Sequence, residues 1–339
     1  MQAAVLRRLN SNLSIEMLEI PDLSDGQLLV KMHYSGVCGS QIKEIDGERG
    51  HDQWLHHLLG HEGVGTVEKI GPLVSKVAVN DIVGISWLDS NGLDAAGCCY
   101  KSLTYGDVVN SGKVTAFSQY TIVPERKVYA IPNNITELEA VLFGCAIPTG
   151  AGMVLNQSTP SLTDNVLVVG LGGIGFSALT ALKLTTCNDI TVADTSVKKL
   201  EFAEELGVKK LYHIKNGERL TEVINEKYSI IFESTGTVSG IEQSFELLCD
   251  HGQLIFASHP KSGEKISINP HDLIKGKKIN GSWGGASKPE SIIQKFSKFK
   301  KRGQVDLSVF LDAIYPFSSI NEAIDDLRKN KVIRPIIKF

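Results

Sequence analysis

The sequence predicts an α/β protein: a doubly wound parallel sheet in the second half, preceded by a β-rich first half. Three observations carry this. From about residue 160, short apolar runs alternate with amphipathic stretches, the rhythm of βαβ units. One of those runs, NVLVVG, leads into GLGGIG, a Gly-x-Gly-x-x-Gly loop at a strand end. The first 150 residues instead break into short apolar runs separated by Gly, Pro, Asn and Asp.

Taken in order, GQLLVKMHYSGV, HEGVGTVEKIG and NDIVGISWL read as strands joined by turns. After NVLVVG a helix runs to about Leu184, followed by the strand DITVAD. A helix spans Ser196 to Leu206, because Val197, Leu200, Ala203 and Leu206 share one face and Gly207 stops it. Then come KKLYHI, a short charged helix, SIIFEST, a helix around IEQSFELL that takes in Cys249, and the strands GQLIFAS and KKINGSW. The chain closes with the helix PESIIQKFSKFKKRG, DAIYPF, the helix SINEAIDDLRKN and a last strand, RPIIKF. A β-leaning half followed by a nucleotide-type sheet predicts two domains with a cleft between them.

Composition narrows the class of function. At 339 residues, with 42% hydrophobic and 22% charged residues, the chain has the make-up of a soluble globular protein of about two domains. A formal net charge of -3 gives no electrostatic case for nucleic acid or an anionic membrane. Six cysteines in a chain this long form no disulfide framework and suit a reducing compartment. MQAAVLRRLN carries charges where an export signal has its apolar core, so a cytoplasmic location is expected. The uncharged stretch from Val166 to Leu182 approaches membrane-spanning length, but its glycines favour a strand, a turn and a helix.

In GLGGIG, Gly170 suits the tight turn and Gly172 the close approach of a pyrophosphate. Gly175 lets helix and strand pack, and the helix start at Gly173 and Ile174 offers free N–H groups. Asp194 ends the next strand, nineteen residues beyond Gly175. Its carboxylate would accept from ribose hydroxyls and repel a 2′-phosphate, which favours NAD over NADP. Lys199, on the helix that follows, completes this part of the cofactor set.

Cys38 in GVCGS, His61 in GHEGVG and Cys145 in FGCAIPTG form a Cys₂His set, which suits a catalytic zinc with its fourth position left for water or substrate. The segment GHEGVGTVEKIG resembles the G-H-E-x-x-G-x-V-x-x-V-G signature of the zinc-dependent medium-chain alcohol and polyol dehydrogenases, with isoleucine for the last valine. The resemblance runs the whole chain, through GVCGS, NDIV, GCAIPTG, GLGGIG and LRKNKVIRPI. It implies a GroES-like catalytic domain over residues 1–150, completed by about 290–339, and a Rossmann domain over 151–289. It also implies reversible NAD-linked oxidation of an alcohol, and a dimer or tetramer assembled through the nucleotide domain.

Carried over by position, Cys38, His61 and Cys145 bind one catalytic zinc, and Glu62 is an intermittent fourth ligand or a carboxylate beside it. Ser40 takes the alcohol proton, Thr149 lies against the nicotinamide, and Arg334 contacts the cofactor pyrophosphate. Three positions depart from the family. Lys43 stands where many relatives have a proton-passing histidine, and its ammonium would relay a proton or attract an anion. Gln41 replaces a common aspartate that supports the histidine ligand, and Gly39 leaves a usual basic phosphate contact empty.

In much of the family, four cysteines after the NDIVGISW segment hold a second, structural zinc. This chain has only the adjacent pair Cys98 and Cys99 there, too close in sequence for a tetrahedral site, so no structural zinc is expected. Asp89, Asp94 and Asp107 fall in no metal spacing. Trp87 aligns with an aromatic that walls the substrate pocket in relatives, and Trp54 precedes the zinc histidine. The tryptophans and Lys43 point to a small-molecule polyol, amino-sugar or nucleotide-sugar hydroxyl as substrate, and GSWGGASKP points more faintly to a formaldehyde–glutathione adduct. Two other readings compete: a zinc-free enone or quinone reductase, which generally lacks such ligands, and a non-catalytic NAD sensor.

Overall fold

The computed structural model describes residues 1–311 and 313–339. The chain gathers into two compact units, Met1–Cys145 with Lys288–Phe339, and Ala146–Ser287.

The second unit is the parallel sheet. Its strands run in the order Lys210–His213, Asp189–Asp194, Asn165–Val169, Tyr228–Glu233, Leu248–Phe256 and Lys278–Gly281, each pair parallel. Central strands buried on both faces need unbroken apolar runs, which is why VLVV and IIF are uniformly buried rather than alternating. Leu167, Val169, Ile231, Leu254 and Phe245 meet in the core on one side of the sheet. The uncharged stretch divides into the strand Asn165–Val169 and the helix Gly173–Leu182. Among the described residues, no single helix is long and apolar enough to cross a membrane. The helix predicted over Ser196 to Leu206 spans Val197–Glu205, with Gly207 at φ 89° just past its end.

One element differs from expectation. Cys249 lies in the strand Leu248–Phe256, because the preceding helix ends at Glu246. The apolar pair Leu247 and Leu248 continues the helix pattern in sequence, but in the fold it is the corner into the strand.

The first unit pairs a closed barrel with an open sheet. The barrel runs Gln2–Leu6, Ser14–Glu19, Cys99–Ser102, Val108–Asn110 and His57–Leu58. The sheet runs Val128–Ala130, Ile82–Ser86, Glu62–Ile70, Gln27–Gly36, Ile336–Lys338 and Ile314–Pro316, with Tyr120–Pro124 also on Gln27–Gly36. Both ends of the chain build this unit: Ile336 pairs with Gly36 in antiparallel register, and the Val37 N–H donates to the Pro335 carbonyl at 2.9 Å.

Candidate metal centre and dinucleotide loop

Cys38, His61 and Cys145 reach one point of the first unit from three elements. Cys38 caps the short helix Gly39–Ile45 where the strand Gln27–Gly36 ends. His61 directly precedes the strand Glu62–Ile70, and Cys145 follows the 3₁₀ turn Leu142–Gly144. Their ligand atoms all lie within 4.8 Å of one another. Thiolates at a zinc–sulfur distance of ~2.3 Å stand roughly 3.8 Å apart in a tetrahedron, so small inward movements complete the geometry. The His61 Nε2 is buried with no hydrogen-bond partner, as expected of an atom that faces a metal. The residues therefore fit zinc in donor type, spacing and unmet bonding capacity.

Electrostatics sharpen the picture. A hydrogen bond with Cys145 is the largest influence on Cys38 and, with the charges of Arg334 and His61, holds its thiol well below the ordinary range despite burial. The same bond, with burial, pushes Cys145 well up. Burial raises the Glu62 carboxyl, opposed by Arg334 and His61.

Glu62 is fully buried, and its Oε1 forms an ion pair with the Arg334 guanidinium, only 3% exposed. An added Cβ at Gly36 would collide with this carboxylate, which explains the glycine there. The pair was missed in the sequence, where the one signal is an arginine inside the apolar run VIRPII. A buried arginine requires an anion. Ser40 stands in the first turn of Gly39–Ile45 with its Oγ buried and unpartnered, and Lys43 is in the last turn.

Trp54 is 62% exposed, on a loop tied down by the Asn110 side chain, which donates to the Trp54 carbonyl at 2.8 Å. Trp87 is half-buried, and its carbonyl accepts from Lys127. Asp89 pairs with Lys127 at 2.7 Å, Asp94 with Lys113 at 2.7 Å, and Asp107 with Arg7 at 2.5 Å. Cys98, just before the strand Cys99–Ser102, packs on the barrel core, while Cys99 is exposed, its Sγ 3.6 Å from the Asn110 Oδ1.

In the second unit, Gly170 takes a left-handed φ of 85°, and a Cβ at Gly175 would overlap the Gly170 carbonyl oxygen. Gly172 caps the helix Gly173–Leu182, and a Cβ added there meets no atom within 4 Å. The loop thus leaves open space in front of the helix-start N–H groups, including those of Gly173 and Ile174, where a pyrophosphate fits. Asp194 caps the neighbouring strand, its two carboxylate oxygens accepting from the N–H of Leu171 and, at 2.7 Å, of Ser196. Lys199 is buried on the helix beyond, and Thr149 is buried in the helix Ala146–Leu155.

Two family patterns match. Residues 24–133 fit the alcohol dehydrogenase GroES-like domain, and residues 173–300 fit the zinc-binding dehydrogenase domain. An S-(hydroxymethyl)glutathione dehydrogenase from Synechocystis is 25% identical over 375 residues, covering 100% of this chain and 99% of that protein. Among solved structures, an alcohol dehydrogenase zinc-binding domain protein from Burkholderia ambifaria superposes with a TM-score of 0.88 at 24% identity, covering 100% of this chain and 98% of the other. Benzyl alcohol dehydrogenase from Acinetobacter calcoaceticus does so with a TM-score of 0.86 at 24% identity, covering 100% and 99%. Both domain patterns lie in order on one chain, and the match to Synechocystis runs end to end. The chain therefore belongs to the zinc-dependent medium-chain dehydrogenase/reductase family and is an enzyme of its alcohol dehydrogenase kind.

Proposed function

We propose that the protein catalyses reversible, NAD-linked oxidation of an alcohol to a carbonyl compound, with one zinc per chain held by Cys38, His61 and Cys145. The observation that carries this reading is the convergence of those three ligand atoms within 4.8 Å beside an unpartnered His61 Nε2. Zinc bound there supplies a Lewis acid that polarises the substrate oxygen and lowers the pKa of its hydroxyl. NAD held at the loop Gly170–Gly175 and by Asp194 would supply the acceptor for the hydride of the carbinol carbon.

The chain's own residues do the rest. Ser40, whose Oγ has no other partner, takes the hydroxyl proton as its own proton moves on. Lys43, on the same helix, relays it by giving a proton to solvent before taking one, or draws an anionic group of the substrate. Glu62 is poised beside the ligands as a reserve carboxylate, its charge offset by Arg334. The open space at Gly172 receives the cofactor pyrophosphate, while Asp194 selects the ribose of NAD. Thr149, Lys199 and Arg334 complete the cofactor contacts.

For the substrate we favour a polyol, amino-sugar or nucleotide-sugar hydroxyl. Exposed Trp54 and half-buried Trp87 offer ring surfaces for a sugar, and Lys43 an ammonium for a phosphate. The relatives' names offer S-(hydroxymethyl)glutathione and benzyl alcohol as comparison substrates. The barrel lobe is read as metal-free, because its two cysteines face opposite ways and its aspartates are engaged by lysine and arginine. A homodimer or homotetramer formed through the second unit fits the outer strand Lys278–Gly281, near the 81% exposed Trp283. Free thiols throughout suit the cytoplasm.

Elemental analysis tests the metal reading. One zinc per chain is expected, lost in Cys38→Ala and Cys145→Ala and kept in a Cys98/Cys99 double variant. Losing several kcal/mol of metal stabilisation should lower turnover roughly a thousandfold in Cys38→Ala. Full activity in that variant would overturn the zinc mechanism.

A further inference from the structure

We propose that Gln41 is a positioning residue for zinc, fixing Cys38 in the backbone geometry from which its sulfur meets His61 and Cys145. This rests on reading those three residues as zinc ligands.

Gln41 is 1% exposed, so its carboxamide has almost no water to bond. The Cys38 N–H donates to its Oε1 at 2.8 Å. A backbone N–H only donates, so the atom facing it is the oxygen, and the amide orientation is thereby assigned. In return, the Gln41 N–H donates to the Cys38 carbonyl at 3.0 Å and faces the Cys38 side chain, closing a box around the helix start. Just upstream, the Val37 N–H is held by the Pro335 carbonyl. Gln41 thus holds the peptides on both sides of the Cys38 Cα, one through its side chain and one through its own N–H, while the Val37 bond fixes the peptide before them. Together Gln41's two bonds set φ −110° and ψ 145° at Cys38, and with these the direction of its Cα–Cβ bond.

A neutral amide suits this place for a second reason. In the loaded site two thiolates offset the two charges of zinc, and Glu62 offsets Arg334. Gln41 restrains Cys38 without adding another buried charge. Its Nε2 is buried and unpartnered, an unmet donor that burial leaves uncompensated. A side chain that served only to fill space would carry no such cost.

The test uses the full-length protein and the near-isosteric variants Q41M and Q41E. Zinc affinity is read by competition with a chromophoric chelator, and the ligand field by cobalt(II) substitution. Wild type should hold one zinc. Q41M, with no oxygen for the Cys38 N–H, should bind zinc roughly 10–100-fold more weakly and show an altered thiolate-to-cobalt band. Q41E, which keeps that oxygen but brings a carboxyl into the buried site, should lose less affinity than Q41M and keep the cobalt band near that of wild type. If Q41M does not fold, Q41A replaces it with the same expectation. Wild-type affinity in Q41M, or in Q41A where it stands in, would make Gln41 a helix cap only and overturn the proposal, as would equal losses in Q41M and Q41E. A wild type that takes up no zinc would overturn the metal reading itself, and this proposal with it.

Discussion

Arg334 and Glu62 show how much a pair of residues can decide. Each would be an isolated charge in an apolar interior without the other, and losing one partner of a buried pair costs about 3–5 kcal/mol. Arg334→Met should therefore lower the stability of the metal-free protein by that amount in a denaturant titration. An unchanged midpoint would show that Glu62 finds other compensation. The donor set around these residues was legible in short motifs, because thiol and imidazole ligands are chosen for their chemistry and stand out one by one. Their ion-paired neighbour was not, since 272 residues separate Glu62 from Arg334 and no local pattern spans that distance. Gln41 was legible only as a departure from the family, and its bond to Cys38 emerged from the helix start.

At the scale of elements, two glycines of one loop do different work. An alanine at Gly175 would overlap the Gly170 carbonyl oxygen and should destabilise the protein by about 1–3 kcal/mol. Alanine at Gly172 meets open space, so stability should hold within about 0.5 kcal/mol while NAD affinity falls, by calorimetry, on the order of tenfold or more. Equal effects of the two substitutions on stability would contradict the open cradle. A second element depends on pH. The Glu125 carboxylate accepts from the N–H groups of Ser75, Lys76 and Leu93 at 2.6, 2.5 and 2.7 Å, joining two segments of the lobe. Burial pushes its pKa up, but these donors and Lys76 outweigh burial and hold it below the usual range. Its stabilising contribution is thus complete above the unfolded value of about 4.3 and disappears as pH falls through the lower folded value. Acid unfolding followed by circular dichroism should show this loss below about pH 4, and Glu125→Gln should flatten it. Strands and helices of the parallel sheet were legible because their periods differ. Cys249 was misplaced because Leu247 and Leu248 fit both patterns, and only tertiary pairing with Tyr228 makes the second a strand residue.

Over the whole molecule, the two-unit organisation was legible from the change of texture near residue 160, while the shared use of both chain ends came only through family resemblance. Light scattering should give at least twice the chain mass if the second unit assembles through its outer strand. Replacing Trp283 and the 80% exposed Ile274 with glutamate should shift that mass toward one chain. A wild type that is already a single chain would rule out the assembly. The pairing of Ile336 with Gly36 also orders events during synthesis. Cys38, His61 and Cys145 leave the ribosome well before Arg334, so through much of translation Glu62 lacks its cation and the Val37 N–H lacks the Pro335 carbonyl. A nascent polypeptide not yet extended to Arg334 therefore carries Cys38, His61 and Cys145 without the contacts that frame them.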